Sequence, residues 1–410
     1  MHCDFTLRGW RKQDACCIGP ESALEKPYLI PGDAETGSIA MIYFDNAATT
    51  LQKPPSVPAA MAGAVGKLGS PGRGGHRAAL AAAEEAYVCR KLASRLFGLS
   101  DPGRVVFCMN ATHALNLAIK SLAGRGDRVV ISGYEHNAVL RPLNRVGAAV
   151  AVASAPPFQP DRQLEAFRKE LLPGTKLAVV NHVSNVFGSV QPLAEIADLC
   201  SHRGIPLVVD ASQSAGVLPL DLERLNAAFI AMPGHKGLYG PQGTGLLLCG
   251  VRGEPLLEGG SGSDSRNPEM PQALPDRLEA GTHNMPGIAG LRAGMEFVKK
   301  TTENRILRHE QRILRLLAEL VNGEERIKLY RAASPQLQTG VLSFTVQGED
   351  PEVTAEKLSR RGIAVRAGLH CAPLAHDTAG STGTVRVSFS VFNTEAEVRR
   401  LAKVLRDNLP

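Results

Sequence analysis

Residues 231–245 read Ala-Met-Pro-Gly-His-Lys-Gly-Leu-Tyr-Gly-Pro-Gln-Gly-Thr-Gly and place Lys236 between a histidine and a glycine-rich turn. An apolar run typical of a buried β-strand, 227–232, leads directly into this turn. A lysine at the end of such a strand is poorly placed for packing, whereas its amine can condense with an aldehyde. The alternative is a surface lysine in a polar loop, and the rest of the chain has to distinguish the two.

Similar apolar runs recur on both sides of residues 231–245 and alternate with helical patterns. Helices are predicted at 77–97, 111–122, 161–172 and 193–203. Strands are predicted at 104–108, 128–132, 148–152, 176–182, 206–210, 227–232 and 244–249. Buried Val/Ile/Leu strands separated by helices indicate a mainly parallel sheet covered on both faces. We therefore predict an α/β fold whose large domain has a mainly parallel seven-stranded sheet, with ligands at the carboxyl ends of the strands.

The pattern changes after a long loop rich in Gly, Ser and Pro at 251–285. A helix is predicted to start near Pro286, followed by helices at 303–321, 351–361 and 394–405 and by strands at 340–346 and 384–389. These elements predict a smaller α+β domain at the C-terminus. We assign 61–290 to the large, ligand-binding domain, 291–410 to the small domain, and 41–60 to an N-terminal segment associated with the small domain.

Residues 1–40 differ from the rest because they are punctuated by proline and glycine and show no clear periodicity. We expect Met41 to be the functional start and 1–40 to be an appended, weakly ordered extension. The alternative is an N-terminal arm that packs on the body of the protein.

The composition is that of an ordinary globular protein, with 44% hydrophobic and 21% charged residues in 410. A net charge of +6, sparse aromatics and the absence of like-charge blocks give little support to nucleic-acid binding. No apolar run is long enough for a membrane span, and residues 1–10 lack an apolar signal core. The eight cysteines show no CxxC and no zinc-like spacing, so we predict no metal site, free thiols and a cytoplasmic location.

The aldehyde cofactor that such a lysine suggests is pyridoxal phosphate (PLP), which enzymes hold through a lysine Schiff base. A carboxylate beside its pyridine nitrogen keeps that nitrogen protonated, so that the ring acts as an electron sink. Leu-Val-Val-Asp210-Ala-Ser-Gln213 places an aspartate at a strand end, and Gln213 can reach the ring hydroxyl. The alternative for Asp210 is an N-cap of the next helix.

A PLP phosphate needs backbone N–H groups at a helix N-terminus together with hydroxyl groups. The run Met109-Asn110-Ala111-Thr112 supplies a strand end, a polar turn and a helix start. We therefore predict a phosphate site at Ala111 and Thr112. Simple capping by Asn110 or Thr112 needs no ligand and is the alternative.

Two further strand ends carry polar side chains. His136 can stack on the cofactor ring and transfer a proton, although a lone loop histidine is usually just solvated. Asn185 follows the strand before Asp210 and can orient the substrate or the ring oxygen. Thr112, His136, Asn185, Asp210 and Lys236 thus each follow a predicted strand, in chain order. The needs of folding alone do not readily explain polar residues at all five of these positions.

These motifs resemble those of the cysteine desulfurase family, which has the class V aminotransferase fold. Tyr43-Phe-Asp-Asn-Ala-Ala-Thr-Thr50 resembles the family's opening motif, and 181–188, 209–214 and 234–237 resemble its core motifs in the same order. Arg366-Ala-Gly-Leu-His-Cys371-Ala-Pro resembles the active-cysteine motif of its short-loop, SufS-like branch. The resemblance covers about residues 41–410 and implies a PLP-dependent transferase of fold type I.

The resemblance implies a role for each matching residue around the ring. Lys236 would form the Schiff base and move the Cα proton. Asp210 would pair with the pyridine nitrogen, and His136 would stack on the ring. Gln213 and Asn185 would contact the ring oxygen or the substrate.

The resemblance also implies residues for the phosphate and for the substrate carboxylate. Thr112 and His235 would bind phosphate, and Thr282 would reach over from a second subunit, so a homodimer is implied. Arg386 would hold the substrate carboxylate with Arg366 nearby, since a guanidinium can bind both carboxylate oxygens.

Two positions depart from the family pattern near the phosphate. Pro233 stands where the family often has a hydroxyl residue. His113 stands where an acidic residue is common in the short-loop branch. One phosphate hydrogen bond is therefore expected to be missing, or to come from His113 or from a Ser or Thr elsewhere.

The implied reaction converts L-cysteine to L-alanine and leaves a persulfide on Cys371, whose sulfur passes to an acceptor protein. Because only a thiolate reacts well, we expect basic neighbours, with His370, His376 and Arg366 as candidates. The alternative for Cys371 is a packed structural thiol.

Other functions remain open at this stage. Selenocysteine lyase, or another class V PLP enzyme such as an aminotransferase or epimerase, fits the same fold. A nucleotide-binding module is suggested by the glycines at 237–245, but no GxGxxG links a strand to a helix and no GxxxxGK[ST] occurs. A catalytically silent interaction protein is disfavoured by the intact set of Lys236, Asp210 and His136.

Overall fold

The computed structural model describes residues 41–72 and 74–407, so the predicted extension at 1–40 lies outside the described residues. In the described part of the chain the helices are α1 (Ser56–Val65), α2 (Arg77–Leu96), α3 (Ala111–Leu122), α4 (Asn137–Val146), α5 (Pro160–Glu170), α6 (Leu193–His202), α7 (Leu222–Leu225), α8 (Met285–Thr301), α9 (Glu303–Leu320), α10 (Pro351–Ser359), α11 (Pro373–Ala379) and α12 (Glu395–Asp407). The strands are β1 (Ile42–Tyr43), β2 (Val105–Cys108), β3 (Arg128–Ser132), β4 (Ala149–Ala153), β5 (Thr175–Asn181), β6 (Leu207–Asp210), β7 (Phe229–Pro233), β8 (Gly245–Cys249), β9 (Ile327–Tyr330), β10 (Val341–Val346), β11 (Ile363–Ala364), β12 (Arg366–Gly368) and β13 (Thr384–Ser388).

The large sheet has seven strands in the order β2-β8-β7-β6-β5-β3-β4. Strands β3 to β7 pair in parallel, whereas β8 runs antiparallel to both β2 and β7. Since β8 opposes both neighbours, β2 points the same way as β7. The predicted mainly parallel, seven-stranded sheet is confirmed, and its strands begin and end within a residue or two of the predicted positions.

The apolar runs form this sheet because both of its faces are buried. Along β5, Ala178 and Val180 belong to a core shared with α2, α6 and α8. The alternating residues Leu177 and Val179 belong to a second core, shared with α3 and α4. Full burial of such side chains contributes about 1.5–3 kcal/mol each, which is why the strands contain continuous Val, Ile and Leu rather than alternating polar residues.

A second, antiparallel sheet has the order β12-β13-β10-β9 and packs against α9, α10 and α12. Near the start of the described chain, β1 pairs in parallel with β11, and Ser388 N donates to Phe44 O at 2.7 Å. Residues 42–47 are thereby held beside β13. The division of the chain at residues 60 and 290 stays a prediction.

Several short elements were not predicted. The clearest is α4, which has Pro142 inside it and His136 as N-cap in place of the usual Ser, Thr, Asp or Asn. It ends at Gly147 in the left-handed conformation, with φ of 74°. No helix among the described residues is both long and apolar enough to cross a membrane.

Candidate active site

The carboxyl ends of the parallel strands meet at one edge of the large sheet and surround a cavity of about 170 Å³. Eight of the predicted site residues line it: Ala111, Thr112, His136, Asn185, Asp210, Gln213, His235 and Lys236. The topology explains the convergence, because β2, β3, β5, β6 and β7 all point the same way. Residues up to 125 positions apart in sequence, Ala111 and Lys236, therefore share one space.

One wall of the cavity is the N-terminus of α3. Asn110 is its N-cap, and the side-chain Oδ1 accepts a hydrogen bond from His113 N at 2.9 Å. The capping alternative is thus correct for Asn110, while Ala111 and Thr112 still line the cavity. The first amides of a helix have no partner within the helix and favour an anion, so capping by Asn110 does not contradict the predicted phosphate site.

Lys236 follows β7 and lines the cavity. Burial lowers the pKa of its amine from 10.5 to about 8, although the Asp210 carboxylate opposes that change. The cations of Arg386 and Arg366 lower this pKa further. About a tenth of Lys236 is therefore unprotonated at pH 7, and that is the nucleophilic form of an amine.

Asp210 ends β6 and is buried in the same cavity. Its Oδ1 accepts a hydrogen bond from Ser212 N at 2.9 Å, so the carboxylate closes a turn at the end of the strand. The alternative of an N-cap is wrong, because the next helix, α7, is capped by Asp221. The negative charge of Asp210 acts on His136 and Lys236, and its pairing with a pyridine nitrogen stays a prediction. A pyridinium nitrogen needs such a carboxylate.

His136 is fixed by its position as the N-cap of α4. Its Nδ1 accepts a hydrogen bond from Ala138 N at 3.0 Å. Burial lowers the pKa of the ring, against the opposing effect of Asp210. A neutral ring whose Nδ1 is an acceptor carries its proton on Nε2, so the flat imidazole is uncharged where it meets the cavity.

His235 and Pro233 line the cavity together with the first residues of α3. Burial lowers the pKa of His235 to about 4, aided by the nearby cations of Lys236 and Lys53, and its Nδ1 is buried without a protein partner. Pro233 offers no hydroxyl. His113 does not replace it with Nδ1, because that atom accepts from Met109 N at 3.3 Å.

Arg386, on β13, contacts Asn185, which lines the cavity. Its Nη1 donates to Asn185 O at 2.9 Å, and its Nη2 forms an ion pair with Asp45 Oδ1 at 2.7 Å. Only 2% of the Arg386 side chain is exposed, and its Nε has no partner among the described residues. Arg366 is directly opposite Arg386 on the neighbouring strand β12.

Cys371 is exposed and lies on the loop between β12 and α11. Two hydrogen bonds tie this loop to the cavity wall: Asn137 N donates to Cys371 O at 2.8 Å, and Asn185 Nδ2 donates to His370 O at 2.9 Å. Cys371 and His370 both have positive φ, 56° and 51°. A non-glycine residue in this region is held by its surroundings, and such positions are common at functional sites. An exposed thiol on this loop disagrees with the packed-thiol alternative.

The two histidines near Cys371 are not cations. Burial lowers the pKa of His370 to about 2, and its Nε2 lies 3.0 Å from Thr384 Oγ1. Burial also lowers the pKa of His376, whose Nδ1 lies 2.7 Å from Ser381 Oγ. The expectation that either histidine supplies positive charge to the thiol is therefore wrong, which leaves Arg366 of the three candidates.

Comparison with known proteins agrees with this geometry. The profile of the aminotransferase class-V family matches residues 42–401. The chain belongs to the class-V aminotransferase family. A protein of Methanothermobacter thermautotrophicus named probable cysteine desulfurase is 34% identical over 387 residues, which cover 89% of this chain and 94% of the relative. A cysteine desulfurase of Escherichia coli is 32% identical over 394 residues, covering 91% and 94% respectively.

A solved structure supports the same relationship. The apo structure of a cysteine desulfurase from Thermococcus onnurineus NA1 has a TM-score of 0.82 and 32% identity, and it covers 89% of this chain and 94% of that one. The predicted resemblance to the cysteine desulfurases, and the fold that it implied, are confirmed. Class V members are PLP-dependent enzymes, so this chain is an enzyme of a PLP-dependent family.

Within this class V protein, Thr282 lies apart from the cavity. It is exposed, in the segment between β8 and α8. The neighbouring Glu279 anchors that segment, since it accepts two hydrogen bonds from Arg90, at 2.8 and 2.7 Å, and one from Phe107 N at 2.6 Å. Contact of Thr282 with a second subunit stays a prediction.

Sequence reasoning missed several residues that the fold brings to the site. Ala48, Asn181 and Ser212 line the cavity, and Asp45 pairs with Arg386. Ser212 and Asn181 lie inside motifs that were already recognised, so their place beside Asp210 and Asn185 was a usable signal. Asp45 likewise lies inside the recognised opening motif, but that motif gave no sign of its partner, which is 341 residues away in sequence.

Proposed function

We propose that this chain is a PLP-dependent cysteine desulfurase that converts L-cysteine to L-alanine and takes the sulfur on Cys371. One observation carries the proposal: Lys236, with a lowered pKa, shares a cavity with Asp210, His136 and the N-terminus of α3. The named relatives support the same activity over nine-tenths of the chain, 89% and 91% in two cases.

The residues of the cavity fit PLP in kind and in position. The N-terminus of α3 with Thr112 and the unpartnered Nδ1 of His235 would hold the phosphate. Asp210 would hold the pyridine nitrogen, and Lys236 would hold the aldehyde carbon. When bound, PLP supplies an electron sink for the electron pair that a departing Cα proton leaves behind.

The chain's own residues account for the remaining requirements. Unprotonated Lys236 Nζ accepts the Cα proton, and the neutral His136 ring would stack on the cofactor ring without adding charge. Gln213 and Asn185 contribute polar groups toward the ring oxygen or the substrate, with Asn185 Oδ1 buried and unpartnered. Arg386 binds the substrate carboxylate, and Arg366 adds positive charge beside it.

Sulfur transfer falls to Cys371. Its thiolate attacks the substrate sulfur and forms an S–S bond while the Cβ–S bond breaks. The electron pair of the broken bond stays with the substrate carbon, which takes up a proton, so that alanine leaves and the cysteine becomes a persulfide. The exposed position of Cys371 suits both this attack and later transfer to an acceptor protein. A homodimer completed by Thr282 and a cytoplasmic location are parts of the same proposal.

The test compares three variants of the chain loaded with PLP. Cys371→Ala should abolish persulfide formation and reduce alanine release from L-cysteine, and Lys236→Ala should remove the visible Schiff-base absorbance. Cys249→Ala is the matched control, since that thiol is buried and burial raises its pKa. Full desulfuration by Cys371→Ala with a reductant present would rule out Cys371 as the nucleophile.

A further inference from the structure

Arg386 is a buried cation whose only anionic partner among the described residues is Asp45. Removing a guanidinium from water is costly unless an opposite charge replaces the solvent. Asp45 provides that charge at 2.7 Å, with 20% of its own side chain exposed. A protein carboxylate is therefore paired with the group proposed to bind the substrate carboxylate.

The hydrogen bonds of Arg386 show for which of its donors a substrate carboxylate would have to compete. A guanidinium offers two donor pairs to a carboxylate, Nη1 with Nη2 and Nε with Nη2. Asn185 O occupies Nη1, and Asp45 Oδ1 occupies Nη2. Nε is buried and has no hydrogen-bond partner within residues 41–72 and 74–407. An incoming carboxylate can therefore bind in a bidentate manner only to Nε and Nη2. Asp45 already occupies Nη2, one of these two donors.

Arg386 does not depend on Asp45 for its orientation. The bond from Nη1 to Asn185 O holds the guanidinium from the other side, and Arg386 is paired in register with both Arg366 and Ser343 in the small sheet. The Asp45 backbone is held separately, because Asp45 O accepts from Ala48 N at 3.1 Å. The carboxylate can therefore move while both ends of the contact keep their backbone positions.

We propose that Asp45 is a specificity-determining residue that neutralises Arg386 in the unliganded enzyme and yields its place to the substrate carboxylate. This inference rests on the proposed function, in which Arg386 is the carboxylate receptor. Any carboxylate ligand must then compete with Asp45, so its observed affinity is the intrinsic affinity reduced by that competition. A ligand without a carboxylate gains no access to Arg386 and leaves the ion pair in place.

The experiment uses the PLP-loaded enzyme and its Asp45→Asn variant, with binding of 3-mercaptopropionate measured by calorimetry. This probe has a thiol and a carboxylate but no amine, so it cannot displace Lys236. Asp45→Asn should bind it about tenfold more tightly, equivalent to about 1.4 kcal/mol. The KM for L-cysteine should also be lower in Asp45→Asn than in the wild-type enzyme. 2-Mercaptoethanol, the matched thiol without a carboxylate, should show no difference between the two proteins.

Unchanged or weaker binding of 3-mercaptopropionate by Asp45→Asn would overturn the inference, because Asp45 would then be a fixed structural counter-ion. Asp45→Ser is the second variant, and it should give the same tightening if Asp45→Asn folds poorly. Arg386→Leu separates this inference from the proposed function. If Arg386→Leu keeps wild-type affinity for the probe, the carboxylate role of Arg386 itself is wrong, whatever Asp45 does.

Discussion

The amine of Lys236 should condense with PLP at neutral pH far faster than an ordinary lysine. Burial lowers its pKa from 10.5 to about 8. That change raises the unprotonated fraction at pH 7 about 300-fold, since each pKa step of one is a factor of about ten. The experiment adds PLP to the PLP-free enzyme at a series of pH values. It measures the rate at which the absorbance of the Schiff base appears.

The direction of the pH dependence follows from the charge of the reactive form of Lys236. The neutral amine attacks, so the rate should rise with pH and reach half of its maximum near pH 8, where half of Lys236 is unprotonated. Asp210→Asn should move this midpoint to lower pH, because the Asp210 carboxylate favours the ammonium form. Free Nα-acetyl-lysine is the reference for an unburied amine.

Two outcomes would refute the reasoning. A wild-type rate that keeps rising with a midpoint near the ordinary 10.5 would mean that burial does not disfavour the charged form of Lys236. A midpoint that moves to higher pH in Asp210→Asn would mean that the Asp210 charge does not act on the amine as the geometry requires.

Three further predictions concern stability around the site. Arg90→Leu should lower the free energy of unfolding by about 3–5 kcal/mol in urea titration, because it leaves the Glu279 carboxylate buried without its cation. Gly216→Ala should cost more than about 2 kcal/mol and alter the visible absorbance of bound PLP, since φ is +80° and the new Cβ would lie 2.2 Å from Gly237 O, beside Lys236. Cys371→Gly should be about 1–2 kcal/mol more stable than Cys371→Ala in thermal melting, because its φ of 56° is costly for a residue with a Cβ.

Each of these predictions has a matched comparison in the same chain. Arg360→Ala removes an exposed ion pair and should change stability by about 0–1 kcal/mol, so an equal loss in both arginine variants would contradict the burial argument. Gly204→Ala also places a Cβ at positive φ, but in open space, and should leave the PLP absorbance unchanged. Equal melting temperatures for the Gly and Ala variants of Cys371 would show that its backbone is not strained.

The large sheet was predictable because its evidence is local. Strands such as β5 and β7 are continuous apolar runs, and each polar motif follows one of them directly. Helix α4 was not predicted, because Pro142 interrupts the pattern and a histidine replaces the usual N-cap residue. Helix α4 holds His136 as its N-cap. The local sequence signal was therefore too weak to predict the helix that positions this site residue.

The amino-acid sequence is enough to predict the order of the strands along the chain, the family, and the strand ends that carry Thr112, His136, Asp210 and Lys236. These follow from hydrophobic patterning and from motifs, which depend only on near neighbours. Only the tertiary structure decided that Asp45 pairs with Arg386 and that His370 is neutral beside Cys371. Ion pairing and pKa values depend on which distant groups are brought together and on how far water is excluded, and neither is encoded in local spacing.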